Sequence, residues 1–319
     1  MRKKAISLYI IFIILHLLIG CDNPVDNKYD SLPDLNRYDA IFVGEYHNMK
    51  ENFDIELYLM KYYYSFGVRD FLFEFGYGHT LLLQYYIETG DEECLQVLFK
   101  NIKGTAACNQ EAYKFFKDIY SWNSTLDEKI KLYGFDVEHQ YSTGIAAIWF
   151  FILKKYNRIE GIPSITTLGT RADLINDFKN NKYRYSIINE DDKLLFERLI
   201  LSSEQAEIYY QNRYINNNVR ELYMIDNLRE FISNNKNKIF FAIMGLAHSS
   251  LTGNAIDTST NKYTQIPCLA NVLKNEIKIA SIALRQNPKP IEWPYTIKIN
   301  ENLRTTSYES VYNGNWPYY

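Results

Sequence analysis

"AIFVGEYHNM", residues 40–49, runs through four apolar side chains and then turns ionisable at Glu45 and His47. Unbroken apolarity over so short a span marks a strand buried on both faces, since a half-exposed strand would alternate. Four other runs share the pattern: "VRDFLFEF" (68–75), "KIKLYGFD" (129–136), "KIFFAIMGL" (238–246) and "IKIASIAL" (277–284). Strands of this kind belong to parallel sheets covered by helices.

The segments between them supply the helices. "NFDIELYLMKYYYSF" (52–66), "HTLLLQYYIETG" (79–90), "EAYKFFKDIYSW" (111–122) and "VRELYMIDNLREFISN" (219–234) space apolar residues by three and four, as amphipathic helices do. Strands alternating with helices predict an α/β fold, a three-layer α/β/α sandwich with a mainly parallel sheet. Residues 140–215 break the alternation. "GIAAIWFFILKKY" and "DKLLFERLILSSEQAEIYYQNRY" read as helices with no strand between them, which predicts a helical insertion.

The ends of the strands carry the chemistry. Glu45 and His47 follow the first, Glu74 lies at the end of the second, Asp136 closes the third and His248 follows the fourth. In a parallel sheet all carboxyl ends share one edge, where open α/β sheets place their ligand crevice, so these distant positions converge. His47, His79, His139 and His248 all fall at or within five residues of a strand end. An imidazole beside a carboxylate takes a proton from water near neutral pH, because the carboxylate fixes its tautomer and stabilises the cation. His47 and His248 with carboxylates also suit a divalent metal that would acidify bound water. The chain has no HExxH and no G-x-S-x-G, which removes zincin-type and serine-hydrolase sites. Ser249 and Ser250 read as caps of the segment that follows.

The first residues read as targeting. "MRKK" precedes the apolar run "AISLYIIFIILHLLIG", whose 16 residues fall short of the roughly 20 that span a bilayer. Leu18-Ile19-Gly20-Cys21 resembles the lipobox of bacterial lipoproteins, which implies cleavage of a signal peptide (1–20) and lipid on Cys21. The expected partner is then a lipid bilayer and the expected location the cell envelope, at the periplasmic face or the cell surface. Loss of Arg2, Lys3 and Lys4 takes the formal charge from −3 to −6. An acidic surface argues against nucleic acid. Residues 21–36, rich in Asp, Asn and Pro, read as a tether. Cys94, Cys108 and Cys268 lack metal-like spacing and read as buried thiols, although Cys94 and Cys108 could bridge in an oxidising compartment.

Taken in order, "VGEYHN" (43–48), "FLFEF" (71–75), "KLYGFD" (131–136), "RELYMIDN" (220–227) and "MGLAHSS" (244–250) resemble the motif series of the erythromycin esterase and ChaN-like superfamily. The likeness spans residues 37–285, leaving 286–319 as a C-terminal extension. The paired Gly-x-x-His elements, Gly44 with His47 and Gly245 with His248, also resemble the TraB and Tiki branch. The resemblance implies a three-layer α/β/α fold and a histidine-and-glutamate site that activates water. By that match His47 is the base, Glu45, Glu74 and His248 complete the site, and Arg220 holds substrate or developing negative charge. The substrate would be an ester, a lactone or a peptide. Macrolide esterases carry one more residue between glutamate and histidine, so macrolide hydrolysis is not implied. The shorter "GEYH" spacing is that of ChaN-like lipoproteins linked to haem iron. It implies an alternative, a haem- or ligand-binding protein without catalysis, in which Tyr62, Tyr63, Tyr64 and Tyr77 supply contacts.

Overall fold

A computed structural model describes residues 32–153, 171–181, 189–212, 218–257, 262–285, 292–300 and 302–308. Cys21, the signal-like segment and most of the tether lie outside the described residues.

Six strands form one sheet in the order β3-β2-β4-β1-β7-β8, and every neighbouring pair is parallel. They are β1 (Ala40–Glu45), β2 (Asp70–Gly76), β3 (Lys131–Asp136), β4 (Phe240–Gly245), β7 (Ile279–Leu284) and β8 (Tyr295–Ile297). A separate antiparallel hairpin joins β5 (Asn254–Asp257) to β6 (Lys262–Pro267). Ala40 to Val43 are wholly buried, as their unbroken apolarity requires. Their side chains divide between the faces: Ile41 and Val43 join the cluster under one helical layer, Ala40 and Phe42 the cluster under the other.

The first layer contains α1 (Lys50–Ser65), α2 (Tyr77–Thr89), α3 (Glu92–Asn101) and α4 (Gln110–Thr125). After β3 come α5 (Tyr141–Ile148), a π-helical turn (Trp149–Leu153), α6 (Arg171–Asn180) and α7 (Glu190–Asn212). No strand interrupts that stretch among the described residues, and α5 packs against both α2 and α7. The opposite face is covered by α8 (Asn218–Asn234) and, after the single turn of α9 (Leu246–Ser249), by α10 (Leu269–Leu273). The chain is therefore a three-layer α/β/α sandwich with a parallel sheet. The connection leaving β1 enters the first layer and the helix after the β5–β6 hairpin lies on the second, so the sheet's switch point falls between β1 and β4. A crevice opens at such a point.

Two details depart from the sequence reading. The sheet continues past residue 285: β8 pairs with β7, and Tyr295 exchanges a 2.9 Å hydroxyl contact with Tyr38. A three-residue strand is too short for any periodicity to announce it. Gly44 lies within β1, ahead of the turn that follows the strand. A Cβ there would stand 1.9 Å from Ser249 Oγ, so glycine is what lets α9 lie against β1. The turn itself is made by Asn48, at φ 65. Ser249 donates to the Leu246 carbonyl and accepts from Trp293 Nε1, so it ties α9 together and caps nothing downstream.

Candidate active site

The strand register brings the predicted residues to one edge. Glu45 stands beside Gly245 across the β1–β4 pair, and Gly76 beside Asp136 across β2–β3. Between Phe73 and Gly76 the β2–β3 register shifts. That irregularity explains why Phe73, Glu74 and Phe75, three consecutive residues, all line the same cavity when a regular strand would turn Glu74 away.

At the mouth, His47 Nδ1 meets Glu45 Oε1 at 2.8 Å. Glu45 Oε2 accepts from Asn52 Nδ2, which also reaches the Tyr46 carbonyl at 2.8 Å. Asn52 and Glu56 occupy successive turns of α1, both buried against the same carboxylate. Half of the His47 side chain, 49%, is exposed. Burial lowers its pKa, but the Glu45 hydrogen bond and the charges of Glu45 and Glu74 more than offset that, to about 9. Solvent screening at the exposed ring moderates that rise. A Cβ on Gly245 would stand 3.1 Å from His47 Nε2 and 3.2 Å from Glu74 Oε2, so a bare backbone there lets imidazole and carboxylate face each other closely.

Arg220, from α8, is the centre of the deeper half. Its Nε donates to Asp136 Oδ1 at 3.0 Å and its Nη2 to Asp136 Oδ2 at 2.6 Å, while Nη2 also donates to Glu74 Oε1. Glu74 Oε2 accepts the Gly245 amide. His248 Nδ1 pairs with Glu221 Oε2 at 2.6 Å, its Nε2 lies 3.5 Å from Glu74 Oε1, and Glu221 Oε1 accepts the Leu269 amide. Asp136 also receives His139 Nε2 at 2.7 Å. Burial alone would raise the pKa of Glu74, but His248, Arg220 and His47 bring it to about 2. Burial likewise opposes ionisation of Asp136, and Arg220 and His139 outweigh it, holding that carboxyl well below the usual range. Burial lowers the His248 pKa, and Glu221 and Glu74 raise it above the ordinary value.

The sign of the acid response follows. Glu74 has a folded pKa depressed from 4.5 to about 2, so its contribution is complete above 4.5 and is lost as pH falls through about 2. Buried His79, taken down from 6.5 to about 3 by desolvation and then by His139, adds a loss in the same direction. The urea midpoint should therefore fall steadily from pH 4.5 toward 2. A flat midpoint over that range would contradict the ionised network.

A cavity of about 410 Å³ opens from this cluster and runs between the sheet and the first helical layer. Glu45, His47, Glu74 and Arg220 line it, whereas Asp136 and His248 do not and act on it through Arg220, Glu74 and His139. His139, Gln140 and Tyr210 close one side, with the Tyr210 hydroxyl donating to the His139 carbonyl at 2.7 Å. Asn52, Glu56, Glu221 and Tyr210 were not singled out by the sequence. Glu221 alone had a signal, its place beside Arg220 in "RELYMIDN".

Neither expected cofactor fits well. Among the described residues no three His, Cys, Asp or Glu side chains are grouped to hold a metal ion. Between Glu74 and Asp136 the cation is already the Arg220 guanidinium. Tyr62, Tyr63, Tyr64 and Tyr77 all lie off the cavity. The first three sit at the far end of α1, where Tyr63 packs on Phe241 and Tyr64 reaches the Glu128 carbonyl. Cys94, Cys108 and Cys268 are free thiols.

Fold and site together define a three-layer α/β/α protein with a histidine-carboxylate cluster at the sheet switch point. No family model matches the chain, and no curated protein matches it. Among solved structures it is similar to a protein from Bacillus cereus, at TM-score 0.50 and 16% identity over 88% of this chain and 72% of that one. It is also similar to a mutant of the erythromycin esterase EreC in its open conformation, at TM-score 0.51 and 13% identity over 78% and 70%. A looser likeness, TM-score 0.36 and 14% identity over 82% and 88%, is to ChaN of Campylobacter jejuni with haem bound cofacially. The chain thus has the fold of an erythromycin esterase; identities this low speak for fold alone.

Proposed function

We propose that the chain is a hydrolase of an ester, lactone or peptide carbonyl, with His47 as the base. The observation that carries this reading is the position of His47. Its Nδ1 is fixed on Glu45, and its Nε2 lies near Glu74 at the mouth of a cavity that Arg220 also lines. In the neutral ring, Nε2 takes a proton from water as the water oxygen bonds to the carbonyl carbon. The Glu45 carboxylate stabilises the imidazolium, and the carbonyl oxygen becomes an oxyanion. Arg220 answers that charge: Nε and Nη2 are held by carboxylates, whereas Nη1 approaches only His248 Nε2, at 3.5 Å, among the described residues. The imidazolium then returns its proton to the leaving oxygen or nitrogen as that bond breaks. Asp136, His248 and Glu221 position Arg220 and Glu74.

The test is a screen of the mature protein against ester, lactone and peptide substrates. Activity that survives His47→Ala unchanged, or no activity at all, would sink the reading. The pH profile gives a finer check. Because a base works deprotonated and the free-enzyme pKa of His47 is raised, kcat/KM should climb with pH along a limb lying above 6.5. Glu45→Gln removes the carboxylate that raises it, so the limb should move down by about one unit or more. A limb that stays put would show that Glu45 does not act on the base.

We propose further that Cys21 carries lipid and holds the protein at the envelope membrane, on the strength of the "LIGC" sequence. Cys21→Ala should abolish labelling by a fatty-acid analogue in cells. Undiminished labelling would show that Cys21 is not the acceptor.

A further inference from the structure

The cavity is divided by charge. At one end stand Glu45, His47, Glu74 and Arg220; the remainder of the wall includes Phe53, Phe73, Phe75, Phe115, Phe116 and Ile243. The phenylalanines come from three elements, and their rings pack on one another: Phe73 stacks on Phe75 with an interplanar angle of 8° at 5.8 Å, and Phe115 meets Phe116 edge-on at 5.2 Å. A void of about 410 Å³ is far larger than the packing defects cores tolerate and lies in the size range of small-molecule sites.

Besides His139 and Tyr210 on the side already described, two titratable groups line the cavity, Glu56 and His79. Glu56 is 2% exposed, with Oε1 unpartnered among the described residues. Burial and then the Glu45 charge hold its carboxyl well above the usual range, which favours the protonated form. His79, 7% exposed and stacked on Phe75 at 4.1 Å, is held neutral by burial. Burial favours the uncharged form of both groups. Apart from His139, which is paired with Asp136, the wall beyond the reacting end carries no Lys, Arg or Asp side chain among the described residues, so a charged or strongly hydrated substrate group would lose its water among the phenylalanines without a partner.

We infer that the substrate carries an apolar acyl chain, seated among these phenylalanines while its carbonyl lies between His47 and Arg220. The inference rests on the hydrolase reading for the carbonyl end and on the cavity alone for the chain. Burial of each added methylene should then increase kcat/KM about fourfold until the cavity is full.

The experiment uses the mature protein and p-nitrophenyl esters from acetate to decanoate, below their micellar concentrations. A rise in kcat/KM of about fourfold per methylene toward a plateau is the expected result; a flat or falling series overturns the inference while leaving the hydrolase reading intact. Calorimetric titration with decanoate and with acetate separates the two claims. Decanoate binding with acetate undetected supports the apolar seat even if no ester is turned over. Equal binding of the two, or none, overturns it. Ala107→Trp, at a partly exposed wall position between α3 and α4, should shift the preference to shorter chains. An unchanged preference in folded Ala107→Trp protein overturns the placement of the chain, and should the variant not fold, the ester series and the titration still decide.

Discussion

His47→Ala should lower kcat/KM by about 10²–10⁴-fold, the range a positioned general base supplies, and leave the folded protein nearly as stable. The second half of that expectation follows from exposure. His47 sits at the mouth with 49% of its side chain open to solvent, and its one strong partner, Glu45, keeps Asn52 after the ring is gone. A structural histidine would give the opposite pattern, with stability falling and rate per folded molecule holding. Rate measured per active site, beside the urea midpoint of the same preparation, separates the two. Preserved turnover in folded His47→Ala would end the case for His47 as base.

Arg220→Met should cost about 3–5 kcal/mol of stability, the loss expected when one partner of a buried ion pair is removed. Methionine keeps much of the volume, so the cost is mainly electrostatic. Asp136 and Glu74 would lose the cation that neutralises both, and among the described residues Asp136 would keep only the Val137 amide and His139 as partners. Their depressed pKa values rest partly on Arg220, so the variant should also unfold at a higher pH on acidification than the wild type. Arg220→Lys tests geometry against charge: an ammonium restores one point charge but not the planar fork that reaches Asp136 and Glu74 together. It should fall between wild type and Arg220→Met in denaturant midpoint. A midpoint for Arg220→Met within about 0.5 kcal/mol of the wild type, as for an ordinary surface change, would mean the network is not a structural unit.

Much of the site was legible before any coordinate. Glu45, His47 and Glu74 follow apolar runs too continuous to be anything but buried strands, and parallel strands place their carboxyl ends together. Arg220 came from the motif series, because an arginine on a helix announces nothing by itself. What could not be read was the order of depth. Asp136 and His248 end their strands just as Glu45 and Glu74 do, yet they stand behind Arg220 and do not line the cavity. Glu56 is one more polar position on an amphipathic helix in the sequence, and only the fold buries it beside Glu45, which pushes its carboxyl above the usual range.

By itself, then, the sequence determined the sandwich and the edge where ionisable groups gather, since hydrophobic periodicity and strand polarity are local properties carried by each segment. Tertiary structure alone decided which of those groups meet substrate, because depth depends on how α1 and α8 pack against the strand ends. It also decided the shape of the site: Phe73 and Phe75 of β2 enclose one cavity with Phe53 of α1 and Phe115 and Phe116 of α4, residues that no sequence spacing connects.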